Sequence, residues 1–155
     1  MLGDGKTVNL SLAKAHFGPF QTVANKLKRL SLDFCWASGD NFANVMLGST
    51  SLETLSLRFA SISPSIVQGI RLNKDSLKVI SLSSTVGWTI QSLQALCECT
   101  GLIELDLSQP MGPDQLDKAS IEFLCQKLPE GLEKLALKEL PLSDEALNDL
   151  LIRLQ

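Results

Sequence analysis

Along this chain a six-residue phrase returns with apolar residues at its first, fourth and sixth positions: LKRLSL at 27–32, LETLSL at 52–57, LKVISL at 77–82, LIELDL at 102–107 and LEKLAL at 132–137. The phrases start at Leu27, Leu52, Leu77, Leu102 and Leu132, and so lie 25, 25, 25 and 30 residues apart. Within each, the last two apolar residues, such as Leu55 and Leu57, alternate with other residues at the period of two that sends successive side chains to opposite faces of a strand. Each phrase therefore predicts a short strand. Spacings this long exclude tight hairpins and leave room for a crossover that returns the chain to a parallel neighbour.

Between the phrases the pattern shifts to helical spacing, and each stretch opens on a residue suited to capping a helix. Asp40 precedes Phe42, Val45 and Met46; Ser63 with Pro64 precedes Ile66, Val67 and Ile70; Thr89 precedes Leu93 and Leu96. Asp114 precedes Leu116, Ala119, Phe123 and Leu124, and Ser143 precedes Leu147, Leu150 and Leu151. A helix is about 10 Å across and adjacent strands are about 4.8 Å apart, so stacked strand–helix units predict an arc with a concave parallel sheet and convex helices. A weaker first copy reads VNLSL at 8–12, with Thr7 in the first leucine position and Leu10 and Leu12 in the two strand positions. It brings the expected sheet to six strands, followed by a short helix around Pro19, Phe20, Val23 and Ala24.

These phrases resemble the leucine-rich repeat superfamily over nearly the whole chain, from Thr7 to Leu154. The resemblance implies a single α/β domain over residues 1–155, a leucine-rich repeat solenoid shaped as a horseshoe arc. In the family pattern LxxLxLxx(N/C)xL, only LKRLSLDFC fills the Asn or Cys position, with Cys35; the other repeats place Ala15, Ala60, Thr85, Pro110 and Leu140 there. Repeat length, full helices and Cys99 three residues before Leu102 resemble the ribonuclease-inhibitor-like and cysteine-containing subclasses, which are intracellular. The extended concave surface and the lack of a convincing reactive constellation predict a non-catalytic protein–protein interaction module, and the resemblance narrows its kind. It points to a substrate-recognition arc of an F-box-type ubiquitin-ligase receptor or the ligand-sensing arc of a nucleotide-binding immune receptor. The alternatives are a leucine-rich repeat protein that activates a Ran-type small GTPase, through Arg29 or Arg58, and a structural subunit of a larger assembly.

Composition narrows the picture without changing it. With 155 residues, 45% hydrophobic residues and a formal charge of −3, the chain is expected to build one core. MLGDGKT lacks the apolar run of a signal peptide, no stretch approaches the roughly 18 apolar residues that span a bilayer, and the expected location is cytoplasmic or nuclear. Cys35, Cys97, Cys99 and Cys125 are scattered and read as reduced, mostly buried thiols. Solenoids need polar caps over their outermost repeats, and neither end supplies one, so the expectation is either a segment of a longer protein or a neighbouring chain or domain that covers the ends.

Candidate chemistry is sparse. Gly5-Lys6-Thr7 resembles the end of a phosphate-binding loop, but a strand rather than a helix follows it. Cys97 and Cys99, two apart on one helix, would point about 200° apart, which suits neither a zinc site nor a redox pair. His16 is the only histidine and tyrosine is absent, which leaves Glu104 and Asp106, on one strand face, as the best carboxylate pair. Asn9-Leu10-Ser11 matches a glycosylation sequon within a strand. The densest basic run, Lys26, Lys28 and Arg29, is a poor footprint for nucleic acid. No catalytic, cofactor or metal site is expected, and no nucleic-acid or membrane partner. What remains is a protein-binding sheet face. Its outward positions include Arg29, Ser31 and Asp33; Thr54, Ser56 and Arg58; Ser81 and Ser83; Glu104, Asp106 and Ser108. Arg29 and Arg58 toward one end and Glu104 and Asp106 toward the other predict a charge gradient, and Phe34 and Phe59, one repeat apart, predict a stacked apolar anchor.

Overall fold

The structure, a computed structural model, describes residues 6–9, 26–34, 47–112 and 116–155. Among these residues the fold is α/β, with one all-parallel sheet and four helices. The elements in chain order are β1 (Lys6–Asn9), β2 (Leu27–Ser31), β3 (Thr54–Ser56), α1 (Pro64–Leu72), β4 (Val79–Ser81), α2 (Ile90–Cys97), β5 (Glu104–Asp106), α3 (Lys118–Lys127), β6 (Lys134–Ala136) and α4 (Asp144–Arg153). Strand order in the sheet follows chain order from β1 to β6. No helix among the described residues is long and apolar enough to cross a membrane.

The leucines at the fourth position of each phrase set the register. Leu30, Leu55, Ile80, Leu105 and Leu135 align across five strands, so each sits beside its counterpart one repeat away. Leu55, Leu57, Ile80, Leu82, Leu105 and Leu107 are all buried in one core, as the alternation predicts. At roughly 1.5–3 kcal/mol for each fully buried side chain, this ladder is a substantial contribution to the drive to fold.

Backbone hydrogen bonds repeat with the same period. The N–H groups of Leu32, Leu57, Leu82 and Leu107 donate to the carbonyls of Ser56, Ser81, Asp106 and Ala136 at 2.8–2.9 Å. Two residues further on, Phe34, Phe59, Ser84 and Gln109 donate to Arg58, Ser83, Ser108 and Lys138. Phe34, Phe59, Ser84, Gln109 and Glu139 all adopt the left-handed conformation, with φ between 53° and 62°, and so turn the chain out of each strand at the same point.

Ser63, Thr89 and Ser143 cap α1, α2 and α4, their hydroxyls accepting the N–H of Ile66, Ser92 and Ala146. The third helix begins later than the sequence predicts. Its cap is Asp117, which accepts the Ser120 N–H at 2.8 Å, while Asp114 lies outside the described residues. Leu116 and Ile121, both buried, flank that cap as Ile62 and Val67 flank Ser63 and as Trp88 and Leu93 flank Thr89. An apolar residue before the cap and another at the fourth helical position form a hydrophobic staple, which selects Asp117. Of the helix expected after Asp40 only Leu47 and Gly48 are described, and both are helical. The short helix around Pro19 to Ala24 lies outside the described residues.

The first strand is also shifted from expectation. Val8, not Leu10, aligns with Leu30, and Thr7 aligns with Arg29 rather than with Leu27, after an irregularity between Lys6 and Thr7. A slip of two residues keeps every residue on its own face, so alternation alone does not separate the two registers. Because Lys6 and Thr7 lie within β1, they form no phosphate loop at a helix start.

Candidate functional site

Each short strand turns its odd-phase residues away from the leucine core, and the register brings these into rows. The middle row runs Ser31, Ser56, Ser81, Asp106 and Ala136, all half-buried. Beside it runs Arg29, Thr54, Val79, Glu104 and Lys134. Over β4 to β6 the small residues leave a shallow hollow of about 340 Å³, lined by Val79, Ser81, Glu104, Asp106, Lys134 and Ala136 among others.

At the other end of the sheet the residues are organised around Asp33. Its Oδ1 accepts the Ser56 hydroxyl at 2.6 Å and the Arg58 backbone N–H at 2.9 Å, while Oδ2 accepts Arg58 Nε and Nη2 at 3.1 and 3.0 Å. Burial pushes the Asp33 carboxyl up, but the Ser56 hydroxyl, the Arg58 N–H and the guanidinium outweigh it and hold the group below the ordinary carboxylate range. A two-pronged guanidinium–carboxylate pair is directional as well as strong, so Arg58 is held in one pose.

Phe34 and Phe59 stand beside this clasp with ring centroids 4.8 Å apart and planes 7° from parallel. The stacking expected from their spacing is present, and Phe34 remains 56% exposed. Both are bulky residues in the left-handed region, a conformation that non-glycine residues adopt at a cost of about 1 kcal/mol or more.

Two of the four charges expected to form a gradient along the face are paired within it. Arg58 is neutralised by Asp33, and Glu104 is neutralised by Lys134, whose Nζ lies 2.6 Å from Oε1. The Glu104 side-chain hydrogen bond raises the Lys134 pKa. Asp106 instead accepts the Ser108 backbone N–H at 2.9 Å through Oδ1. Ser108, expected on the open face, is buried, and its hydroxyl accepts the Lys138 N–H. Ser83, Thr54 and Ser31 are half-buried, and Arg29 is exposed.

The cysteines depart from expectation in one respect. Helix α2 ends at Cys97, so Cys99 follows the cap residue Glu98 rather than sharing the helix. Cys99 is fully buried, with its thiol donating to the Ala95 carbonyl, and burial pushes the pKa of Cys97 up to about 11 and of Cys99 up to about 12. Such thiols stay protonated and unreactive at neutral pH. Cys125 is buried, and Cys35 lies outside the described residues, as do His16 and Ser11. Among the described residues no group of three His, Cys, Asp or Glu side chains is placed to hold a metal ion.

Asn73 escaped the sequence reading. It is buried at the end of α1, where Nδ2 donates to the carbonyls of Ser49 and Gly69 and Oδ1 accepts the Leu52 N–H. It thereby pins the loop entering one repeat to the helix that leaves it. The signal available was an asparagine just past a helical run, a common helix-end residue.

No protein-family model matches the chain, and no curated protein matches it. What the site does must be argued from its own chemistry. It combines an exposed aromatic pair, an immobilised arginine and a row of small side chains, without a reactive constellation among the described residues.

Proposed function

We propose that this chain is a leucine-rich repeat solenoid whose sheet lines the concave side of an arc, and that it works as a non-catalytic module binding a protein partner on that face. The observation that carries the binding reading is the clasp of Asp33, Ser56 and Arg58 beside the Phe34–Phe59 stack. Aromatic and arginine side chains dominate interface hot spots, and groups held in place before binding lose little freedom when a partner arrives. The recurring hydrogen bonds from strand to strand support the solenoid reading. By the resemblance to intracellular long-repeat proteins, the partner is a protein substrate presented to a ubiquitin ligase. The GTPase-activating alternative draws less support through Arg58, whose guanidinium is already engaged by Asp33, and would rest on the exposed Arg29.

The test is partner capture from native extract by the wild-type chain and by two pairs of variants. Phe34→Ala and Arg58→Ala should each lose the captured partner at least tenfold, as truncation of a hot-spot residue costs about 2 kcal/mol or more. Gln91→Ala and Glu122→Ala, on α2 and α3, should retain it. Loss with the helix variants and retention with the sheet variants would place the interface elsewhere.

A further inference from the structure

We propose that the partner segment taken by the sheet face carries an arginine or lysine whose cationic group sits on Asp106, in the hollow over β4 to β6. This rests on the sheet-face reading above and adds the chemistry of what binds there.

Pairing within the chain leaves this hollow with one carboxylate in excess. Its described lining holds the charged side chains of Glu104, Asp106 and Lys134, and the Lys134 ammonium is engaged by Glu104 at 2.6 Å. Asp106 makes no ion pair among the described residues, and Lys138, the next outward residue after Ala136, does not reach it. The residues outside the described set carry only two cationic side chains, Lys14 and His16, and both fall between β1 and β2 in the chain. Even β2 lies three strand spacings from β5, about 14 Å.

The surroundings of the carboxylate decide what it can take. Asp106 stands on β5 with Ser81 beside it on β4 and Ala136 beside it on β6, so both neighbours across the sheet are small. The space between them is the hollow itself, about 340 Å³. Oδ1 accepts the Ser108 N–H, which fixes the side chain, while Oδ2 has no donor among the described residues. The Ser81 hydroxyl, next in the same row, also has no partner among them. A half-buried carboxylate gives up part of its hydration, and a cationic donor replaces what is lost with a charge-assisted hydrogen bond.

The same face shows this arrangement completed at β2 and β3. There Asp33 accepts the Ser56 hydroxyl through one oxygen and the Arg58 guanidinium through the other. At β5 a carboxylate with one fixed oxygen again has a serine beside it, but among the described residues no guanidinium or ammonium of the chain fills the second position. An anionic segment is disfavoured at the same place, because Lys134 is already neutralised and Asp106 would repel it.

Amide-resolved NMR of the full chain, titrated with a short peptide blocked at both ends, tests this. The peptide carries arginine at its centre and alanine elsewhere, and lysine, citrulline and glutamate versions are run beside it. The arginine and lysine peptides should give saturable shifts centred on the Ser81, Asp106 and Ala136 amides, weakened by salt. Citrulline keeps the shape of arginine without its charge and should bind at least about tenfold more weakly. Asp106→Asn, which keeps the side chain's size, and Ala136→Arg, which supplies a cation from β6, should each weaken the arginine peptide at least about tenfold. Spectra otherwise like wild type check that both variants fold. Equal binding of the citrulline or glutamate peptide, unchanged affinity in both variants, or no saturable shift at these amides overturns the proposal. Such a failure, with partner capture still dependent on Phe34 and Arg58, strikes the cation at Asp106 and leaves the sheet-face reading standing. Saturable binding at Asp106 without that dependence supports the cation site and removes the aromatic anchor.

Discussion

The fifth and sixth units of the array have almost the same phrase and very different surroundings. In LIELDL both strand leucines, Leu105 and Leu107, are buried between β4 and β6, whereas in LEKLAL the corresponding Leu135 and Leu137 are half-buried. The same contrast runs through the helices, where Leu93 and Ile121 are buried but Leu147 is not. Burial in this fold is thus set by the neighbouring unit more than by the residue's own position, which is the behaviour of a chain stabilised by nearest-neighbour interfaces.

The largest effect should separate the two regions directly. Leu105→Ala should cost about 2–5 kcal/mol in urea unfolding, while Leu135→Ala, already partly solvated, should cost under about 2 kcal/mol. Equal losses would break the comparison. Asn73→Ala strips the buried Leu52 N–H of its acceptor and frees two carbonyls, so a loss of about 1–3 kcal/mol is expected. That result would show that the inner units are held by a polar pin as well as by leucine.

A pH series sharpens the picture at the β2–β3 end. Because the Asp33 pKa lies below its ordinary value, its contribution is fully present above about pH 4 and disappears as pH falls through the lower folded value. Asp33→Asn should therefore flatten the acid limb of the stability profile, and an unchanged limb would mean that the clasp adds nothing. The smallest effect belongs to the last helix. Leu147→Lys should shift stability by under about 0.5 kcal/mol in the monomer, whereas Leu93→Lys, at the equivalent buried position, should prevent folding.

Much of this was readable in the sequence, and the gaps have physical causes. Five of the six strands followed from the leucine phrases, because a period of two separates core from surface without ambiguity. Ser63, Thr89 and Ser143 were recognisable as caps for the same local reason. Asp114 and Asp117 both precede a helical run, and only the burial of Leu116 and Ile121 on either side of the true cap decides between them. The left-handed turns at Phe34, Phe59, Ser84, Gln109 and Glu139 carry no glycine or asparagine to announce them. The ion pairs were missed although their separations, 25 residues for Asp33–Arg58 and 30 for Glu104–Lys134, equal the local repeat length. A column of charges listed by type looks like a gradient, whereas pairing across strands turns it into neutral clasps.

The central claim is that one interface recurs through the sheet and that, among the described residues, no further strand lies beside β6. Native-state hydrogen exchange, at a dilution where the protein is monomeric by mass, tests it most directly. The N–H groups of Leu57, Leu82 and Leu107 should exchange only through large-scale unfolding, while the N–H of Leu137, the same position in the last unit, should exchange orders of magnitude faster. A Leu137 N–H protected as strongly as that of Leu107 in the monomer would contradict the account.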